Sequence, residues 1–212
     1  MSQAEISFEQ CLSRVTELLS SANGRIVIGI VGKPGSGKST LSSYLVDNLP
    51  KELVALVPMD GFHLSNKELD ALGRRDRKGA PDTFDSYGYV ALLQRIATST
   101  TDIYFPVFHR DIEESIAAEG VVNAQARIVI TEGNYLLHDN DGWKSVASIL
   151  TETWYVEVDD TVRLKRLVDR HHFYGKEPQA AYDWAHGSDE NNARLVERSK
   201  NLADFLVING DK

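Results

Sequence analysis

Cysteine is almost absent from this chain, which has Cys11 alone among its 212 residues. A single cysteine excludes an intrachain disulfide and a cysteine-rich zinc site. Long hydrophobic runs are absent too, since no segment approaches the roughly 18 consecutive apolar residues of a membrane span. Residues Met1 to Ser20 lack the basic start and uninterrupted apolar stretch of a signal peptide. These absences favour a cytoplasmic protein with no membrane partner.

Basic residues are also in deficit. The chain has 23 lysines and arginines against 31 aspartates and glutamates, which gives a net charge of −8. This balance argues against a nucleic-acid partner bound through a broad basic surface, although it allows a local basic pocket for phosphates. The hydrophobic fraction of 42% is ordinary for a globular protein, and the length suits one domain over residues 1–212.

What the chain does contain is a phosphate loop. Residues Gly32 to Ser39 match the pattern G-x-x-x-x-G-K-[ST], between an apolar run at Ile26 to Val31 and a helix-compatible run at Thr40 to Asn48. Glycines at these positions let backbone N–H groups point at phosphate oxygens, and the helix start adds its positive dipole end. The pattern predicts nucleoside triphosphate binding by Gly32, Lys33, Pro34, Gly35, Ser36, Gly37, Lys38, Ser39 and Thr40.

Strand-like and helix-like segments alternate along the rest of the chain. Strands are predicted at 26–31, 53–58, 127–131, 154–158 and 205–208, and helices at 7–20, 38–48, 86–98, 160–172 and 190–203. Segments 103–108 and 120–123 are predicted to form a short hairpin. The pattern indicates an α/β fold of the P-loop NTPase type, a three-layer sandwich with a mostly parallel five-stranded sheet and helices on both faces.

Two carboxylates directly follow predicted strands. Asp60 follows the second strand and Glu132 follows the third. Ligands of open parallel sheets lie beyond the carboxyl ends of the strands, so both side chains should stand beside the γ-phosphate. A carboxylate there can accept a proton from an attacking hydroxyl or hold Mg²⁺, directly or through water. The Ser39 hydroxyl of the phosphate loop can ligate the metal as well.

A set of motifs, in constant order over residues 24–209, carries a family resemblance. Besides the phosphate loop, these motifs are Met59-Asp60-Gly61-Phe62-His63, Arg77-Lys78-Gly79-Ala80-Pro81-Asp82-Thr83-Phe84-Asp85, Phe105-Pro106-Val107-Phe108 and Thr131-Glu132-Gly133-Asn134-Tyr135. The chain resembles the phosphoribulokinase/uridine kinase/pantothenate kinase superfamily, and most of all a bacterial branch described as nucleoside kinase-like or fructose-transport-associated. The resemblance implies ATP and Mg²⁺ as cofactors and Asp60 as the base that deprotonates the acceptor hydroxyl. It also implies that Glu132 lies near the magnesium and, together with Ser39, holds it directly or through water.

The helix after the fourth strand carries regularly spaced arginines. Arg163, Arg166 and Arg170 fall at i, i+3 and i+7 and therefore share one helical face. In the resembling kinases this segment, about residues 163–180, is a lid whose arginines close over the triphosphate. We expect catalytic roles for Arg166 and Arg170, together with Asp60 and Lys38, because charge on the transferring phosphoryl group must be neutralised.

The acceptor site is predicted from the same motifs. The expected substrate-binding residues are Asp60, His63, Arg77, Lys78, Asp82, Phe108, Arg110, Glu132 and Tyr135. Asp82 would accept hydrogen bonds from substrate hydroxyls. Many relatives carry an acidic residue where this chain has His109-Arg110, so substrate preference is expected to differ. A phosphorylated acceptor is disfavoured, since the sequence shows no clear basic cluster beyond the lid.

The predicted function is a kinase that transfers the γ-phosphate of Mg-ATP to a hydroxyl of a small metabolite. The acceptor is a nucleoside such as uridine or a sugar such as fructose, and a pantothenate-type kinase is an alternative. A nucleotide-switched regulatory protein or a chaperone-like P-loop protein is the alternative from another class. Asp70-Ala71-Leu72-Gly73 matches D-x-x-G, but the guanine-reading motif N-K-x-D is missing. The sequence leaves the oligomeric state open, a dimer included.

Overall fold

The computed structural model describes residues 3–209. Its strands are β1 (Ala4–Ile6), β2 (Ile26–Val31), β3 (Val54–Pro58), β4 (Ile103–His109), β5 (Glu114–Val122), β6 (Ile128–Gly133), β7 (Glu152–Glu157) and β8 (Phe205–Ile208). Its α-helices are α1 (Phe8–Ser21), α2 (Lys38–Asn48), α3 (Asn66–Ala71), α4 (Ser86–Thr98), α5 (Asp160–Phe173), α6 (Pro178–Trp184) and α7 (Glu190–Glu197).

A six-stranded sheet in the order β1-β8-β7-β2-β6-β3 forms the centre of the fold, and neighbouring strands in it are parallel. Strand β2 is buried along its whole length and sends alternate side chains to opposite faces. Ile26, Ile28 and Ile30 pack in a core with α1 and α2. Val27 and Val31 pack in a second core with α4 and the β4–β5 hairpin. Helices therefore cover both faces of the sheet, as predicted.

The predicted elements are largely confirmed, and the differences have local causes. The sheet has a sixth strand, β1, which the sequence did not reveal because three residues with little burial carry no readable periodicity. The helix predicted at 190–203 ends at Glu197 and is followed by a 3₁₀ turn at Lys200–Leu202. The hairpin is confirmed, with a longer second strand than expected.

Side-chain caps fix several helix starts. Ser7 and Gln10 form a capping box at the start of α1. The Asp85 carboxylate accepts a hydrogen bond from the Gly88 N–H at the start of α4, and Asp159 caps α5 through the N–H of Thr161. Each cap satisfies a backbone donor that would otherwise lack an intrahelical partner.

Within residues 3–209, none of the helices is both long and apolar enough to span a bilayer.

The β4–β5 hairpin is held against the turn that follows β3. A Cβ atom at Gly61 would collide with the carbonyl oxygen of Pro106, so only glycine permits this approach of the two backbones. Because Asp60 precedes Gly61 and Phe108 lies two residues beyond Pro106, the contact fixes the hairpin relative to the carboxylate.

We predict that Gly61→Ala destabilises the protein by about 1–3 kcal/mol, because the hairpin must shift to admit the methyl group. Gly24→Ala is the matched control, since nothing lies within 4 Å of a Cβ atom there. Urea denaturation followed by circular dichroism measures both variants. Equal midpoints for the two would show that the contact at Gly61 relaxes without cost.

Candidate active site

A cleft of about 340 Å³ lies at the carboxyl ends of β2, β3 and β6. This is the edge at which parallel α/β sheets bind ligands. Predicted site residues that line it are Pro34, Gly35, Gly37, Lys38, Ser39, Thr40, Asp60, His63, Lys78, Phe108, Arg110, Glu132, Arg166 and Arg170. The structure thus brings together the phosphate loop, both strand-end carboxylates and two arginines of α5.

The phosphate loop is clamped from two sides. Gly35 and Gly37 have φ angles of +80° and +98°, in the left-handed region that favours glycine. A Cβ atom at Gly37 would collide with the side-chain amide of Asn209, which donates a 3.0 Å hydrogen bond to the Ser36 carbonyl. One at Gly35 would meet the Arg163 carbonyl oxygen at 2.9 Å. The loop is therefore held between α5 and the residue that follows β8.

The Lys38 ammonium lies across the loop. Its Nζ donates to the carbonyl oxygens of Gly32 at 2.9 Å and Lys33 at 3.1 Å, and to Oδ1 of Asn134 at 2.8 Å. Burial lowers the pKa of Lys38 to about 8, although the charges of Glu132 and Asp60 act in the opposite direction. An anion that enters the cleft would stabilise the charged ammonium further.

Ser39 and Glu132 are in direct contact. The Ser39 hydroxyl lies 2.7 Å and 3.0 Å from the two carboxylate oxygens of Glu132. Burial raises the pKa of Glu132, while the Lys38 charge and the Ser39 hydrogen bond act to lower it. Mg²⁺ prefers oxygen ligands and is usually held by one or two protein oxygens together with phosphates and water. The hydroxyl–carboxylate pair fits that requirement.

Asp60 contacts Arg110, which lies in the turn of the β4–β5 hairpin. The Nη2 atom of Arg110 donates to Oδ2 of Asp60 at 2.8 Å. Burial alone would raise the pKa of Asp60, but the charge of Arg110 and other nearby cations, including Lys38, lower it overall. Asp60 is therefore a carboxylate at neutral pH and can accept a hydrogen bond or a proton.

An aromatic wall continues the cleft beyond Asp60. The His63 ring stacks on Phe84 with centroids 4.0 Å apart and lies 4.7 Å from the Phe108 ring. Burial lowers the pKa of His63 to about 4, so the imidazole is neutral at pH 7. The Lys78 ammonium lies 5.1 Å from the centre of the Phe108 ring. This end of the cleft combines ring faces with a cation.

The three arginines on one face of α5 separate into two groups. Arg166 and Arg170 line the cleft. Arg163 is 1% exposed, donates to Oδ1 of Asp160 at 2.7 Å and also contacts Glu190. Its ion pairs draw it beneath the phosphate loop, so it braces α5 against α7 and does not face the nucleotide.

Several predicted binding residues lie outside the cleft lining. Arg77 and Asp82 form an ion pair on the outer side of the 77–85 loop, because each finds an opposite charge there. Tyr135 is 1% exposed, and its hydroxyl donates to the Gly79 carbonyl at 2.6 Å, so it supports the loop from inside. Lys33 pairs with Asp160 at 2.8 Å.

Two further phosphate-loop residues, Gly32 and Ser36, are buried and do not line the cleft. Ser36 is fully buried, and its carbonyl receives the Asn209 hydrogen bond. For these two residues the prediction concerns their backbone N–H groups. The glycine conformations and the contacts with α5 and Asn209 keep that backbone bent.

Further residues that line the cleft were not among the predicted site residues. They include Arg75, Glu113, Asn134, His171, Lys176, Trp184, Asp189 and Asn192. Asn134 follows Glu132 by two positions, so its place after a strand was a usable signal. His171 Nε2 and Asp189 Oδ2 lie 2.6 Å apart although 18 positions separate them, and no local pattern announces that pair.

The fold and this cleft define a P-loop kinase. The chain belongs to the Phosphoribulokinase / Uridine kinase family, whose sequence model matches residues 27–210. A Schizosaccharomyces pombe protein named "Putative uridine kinase C227.14" is 31% identical, over 95% of this chain and 90% of its own length.

Solved structures agree with this assignment. A "putative fructose transport system kinase" from Silicibacter sp. TM1040 is 36% identical, with a TM-score of 0.83 over 95% of this chain and 98% of that chain. YFH7 from Saccharomyces cerevisiae has a TM-score of 0.80 at 20% identity, over 96% and 98% of the two chains, and shows the same fold.

We predict that ATP binding takes up protons at about pH 8.5 but not at about pH 7, because phosphate charge raises the lowered Lys38 pKa. Above pH 8 the free ammonium is increasingly deprotonated, so ATP affinity should fall as the pH rises. Calorimetry in two buffers with different ionisation enthalpies measures the uptake.

Lys38→Arg is the control for this measurement, since its guanidinium stays charged at both pH values and should show no difference in uptake. Equal uptake by the wild type at the two pH values would contradict the Lys38 assignment.

Proposed function

We propose that the protein transfers the γ-phosphoryl group of Mg-ATP to a hydroxyl group of a small metabolite. The observation that carries the proposal is the Asp60 carboxylate, which lines the same cleft as Lys38 and the phosphate loop. Asp60 is ionised at neutral pH, and His63 and Phe108 of the aromatic wall line the same cleft. A hydroxylated molecule seated there would place its oxygen between the carboxylate and the γ-phosphate.

The nucleotide would bind through the phosphate-loop amides and the Lys38 ammonium. Ser39 and Glu132 would hold Mg²⁺, which neutralises phosphate charge and fixes the positions of the β- and γ-oxygens when bound. Arg166 and Arg170 stand on the α5 side of the cleft, where they can neutralise charge on the transferring group.

Transfer would be direct and in line. The acceptor oxygen forms a bond to the γ-phosphorus as the bond between that phosphorus and the β,γ-bridging oxygen breaks. The electron pair of the broken bond stays with ADP, and the hydroxyl proton moves to Asp60. No covalent enzyme intermediate is required, because the carboxylate handles only the proton.

The segment at about residues 163–180 would act as a lid on a single kinase domain. It covers most of α5 and the start of α6, and it contributes Arg166, Arg170 and Lys176 to the cleft lining. Closure of this segment would bring the arginines to the phosphates and expel water.

The names of the relatives support an acceptor of the nucleoside or sugar kind, such as uridine or fructose. A pantothenate-type acceptor is the alternative within the same chemistry. A nucleotide switch would need no carboxylate at the far end of the cleft, so the position of Asp60 favours catalysis. The cytoplasmic location and the absence of a nucleic-acid partner stay predictions.

Asp60→Asn should lower kcat by roughly 10²–10⁴-fold, since the amide cannot take the hydroxyl proton. ATP affinity should be retained, because Asp60 is not placed on the phosphates. Asp47→Asn is the control, as Asp47 forms only an exposed pair with Lys51 on α2. Release of ADP measures turnover, and calorimetry measures ATP binding. Loss of ATP binding in Asp60→Asn would instead assign Asp60 to the metal or to the fold.

The acceptor class can be tested by ADP release against uridine, cytidine, fructose, ribose, pantothenate and ribulose 5-phosphate. One compound should raise turnover far above the background hydrolysis of ATP, and Asp60→Asn should remove that increase. If ATP binds and no acceptor changes the rate, the kinase proposal fails for these classes and the switch alternative gains support.

A further inference from the structure

The acceptor end of the cleft is more basic than a neutral substrate requires. Lys78 lines it with a side chain that is only 5% exposed. Its Nζ donates to Oδ1 of Asn66 at 2.7 Å and to the backbone carbonyl of Glu113. A buried ammonium is costly unless opposite charge accompanies it. The Glu113 carboxylate stands 3.4 Å away and is about half exposed, so it offsets that cost only in part.

Arg110 adds a second cation at the same corner. Arg110 and Glu113 bracket the turn of the β4–β5 hairpin, and Glu113 holds a φ of +54°, which is rare for a residue with a side chain. The Glu113 carbonyl that Lys78 binds belongs to this strained turn. The turn therefore keeps Arg110 and Lys78 on one side of the cleft, where Arg75 also lies.

Asp82, the acid expected to bind substrate hydroxyls, does not line this cleft. Asp82 pairs with Arg77 on the outer side of the loop. The carboxylates near the cations are Asp60, which the transfer step needs, Glu113, and Glu114, which accepts a hydrogen bond from the Asn66 N–H. The hydroxyl groups of a neutral polyol can accept hydrogen bonds from both cations but bring no opposite charge when the cleft closes over them. An anionic group would supply one.

We propose that the acceptor carries a carboxylate or phosphate group that binds Lys78 and Arg110, an inference that rests on the proposed kinase function. When the anion binds, Arg110 turns from Asp60 to the ligand, and the freed carboxylate accepts the hydroxyl of the same molecule. Arg110 thus couples recognition of the anion to exposure of the base. Burial lowers the Lys78 pKa, which agrees with a site that gains stability from an incoming negative charge.

The test compares three probes that share one sugar chain, namely ribose, ribonate and ribose 5-phosphate. Binding to the full-length protein is followed by calorimetry and by intrinsic tryptophan fluorescence, to which Trp184 in the cleft lining contributes. At least one anion should bind about tenfold or more tightly than ribose, and added salt should reduce that advantage. The stronger of the two anions identifies the carboxylate or the phosphate as the recognised group.

Two substitutions remove the proposed contacts. Lys78→Met and Arg110→Gln should each reduce the anion preference severalfold, and Lys78→Arg should restore part of it by returning the charge. Thermal melting checks that each variant folds. Lys67→Gln, on the exposed part of α3 beside Asn66, is the matched control and should keep the preference.

Equal affinity for the three probes, or no measurable affinity for either anion, would overturn the inference. An anion preference unchanged in both Lys78→Met and Arg110→Gln would overturn it as well. Faster turnover of ribose or a nucleoside, lost in Asp60→Asn, would reject the anionic acceptor and leave the kinase function standing. Tight anion binding without any ADP release would support the anion site and contradict the kinase proposal.

Discussion

The partly buried ammonium of Lys38 is the constraint on which the other charges of the cleft depend. Its hydrogen bonds go to two backbone carbonyls and the side-chain oxygen of Asn134. These neutral oxygens orient the group but do not balance its charge. Glu132 and Asp60 supply that balance through space, and each is itself affected by the lysine. The site is therefore a coupled set of charges in a partly buried cleft.

The parallel sheet brings this set together by register. Pro58 on β3 pairs with Glu132 on β6, and Val31 on β2 pairs with Gly133, so the three strands end at one level. The residues that follow must then share the space above the sheet edge. On the other side, Arg163 and Asn209 brace the loop from α5 and from the end of β8. The phosphate loop thus depends on segments distant in sequence.

This dependence explains which parts could be predicted from the sequence. The strands, most helix bounds, the phosphate loop and the carboxylates Asp60 and Glu132 follow from local patterns and from the strand-end rule. The orientation of Arg77, Asp82 and Arg163 does not, because an ion pair with a partner on another turn or helix decides which way each side chain points. Strand β1 was missed since its three residues acquire meaning only by pairing with β8.

Arg110 and Asp60 form an ion pair in which a bound substrate could take the place of the Asp60 carboxylate. Both side chains are about one third exposed, and ion pairs with such access to water contribute about 0–1 kcal/mol. An incoming anion can therefore displace Asp60 from Arg110 at little cost. Lys78 differs, because its burial makes the loss of opposite charge more expensive. Arg110 is thus suited to move, whereas Lys78 is suited to fix the anion, and discrimination against neutral acceptors would grow as the lid excludes water.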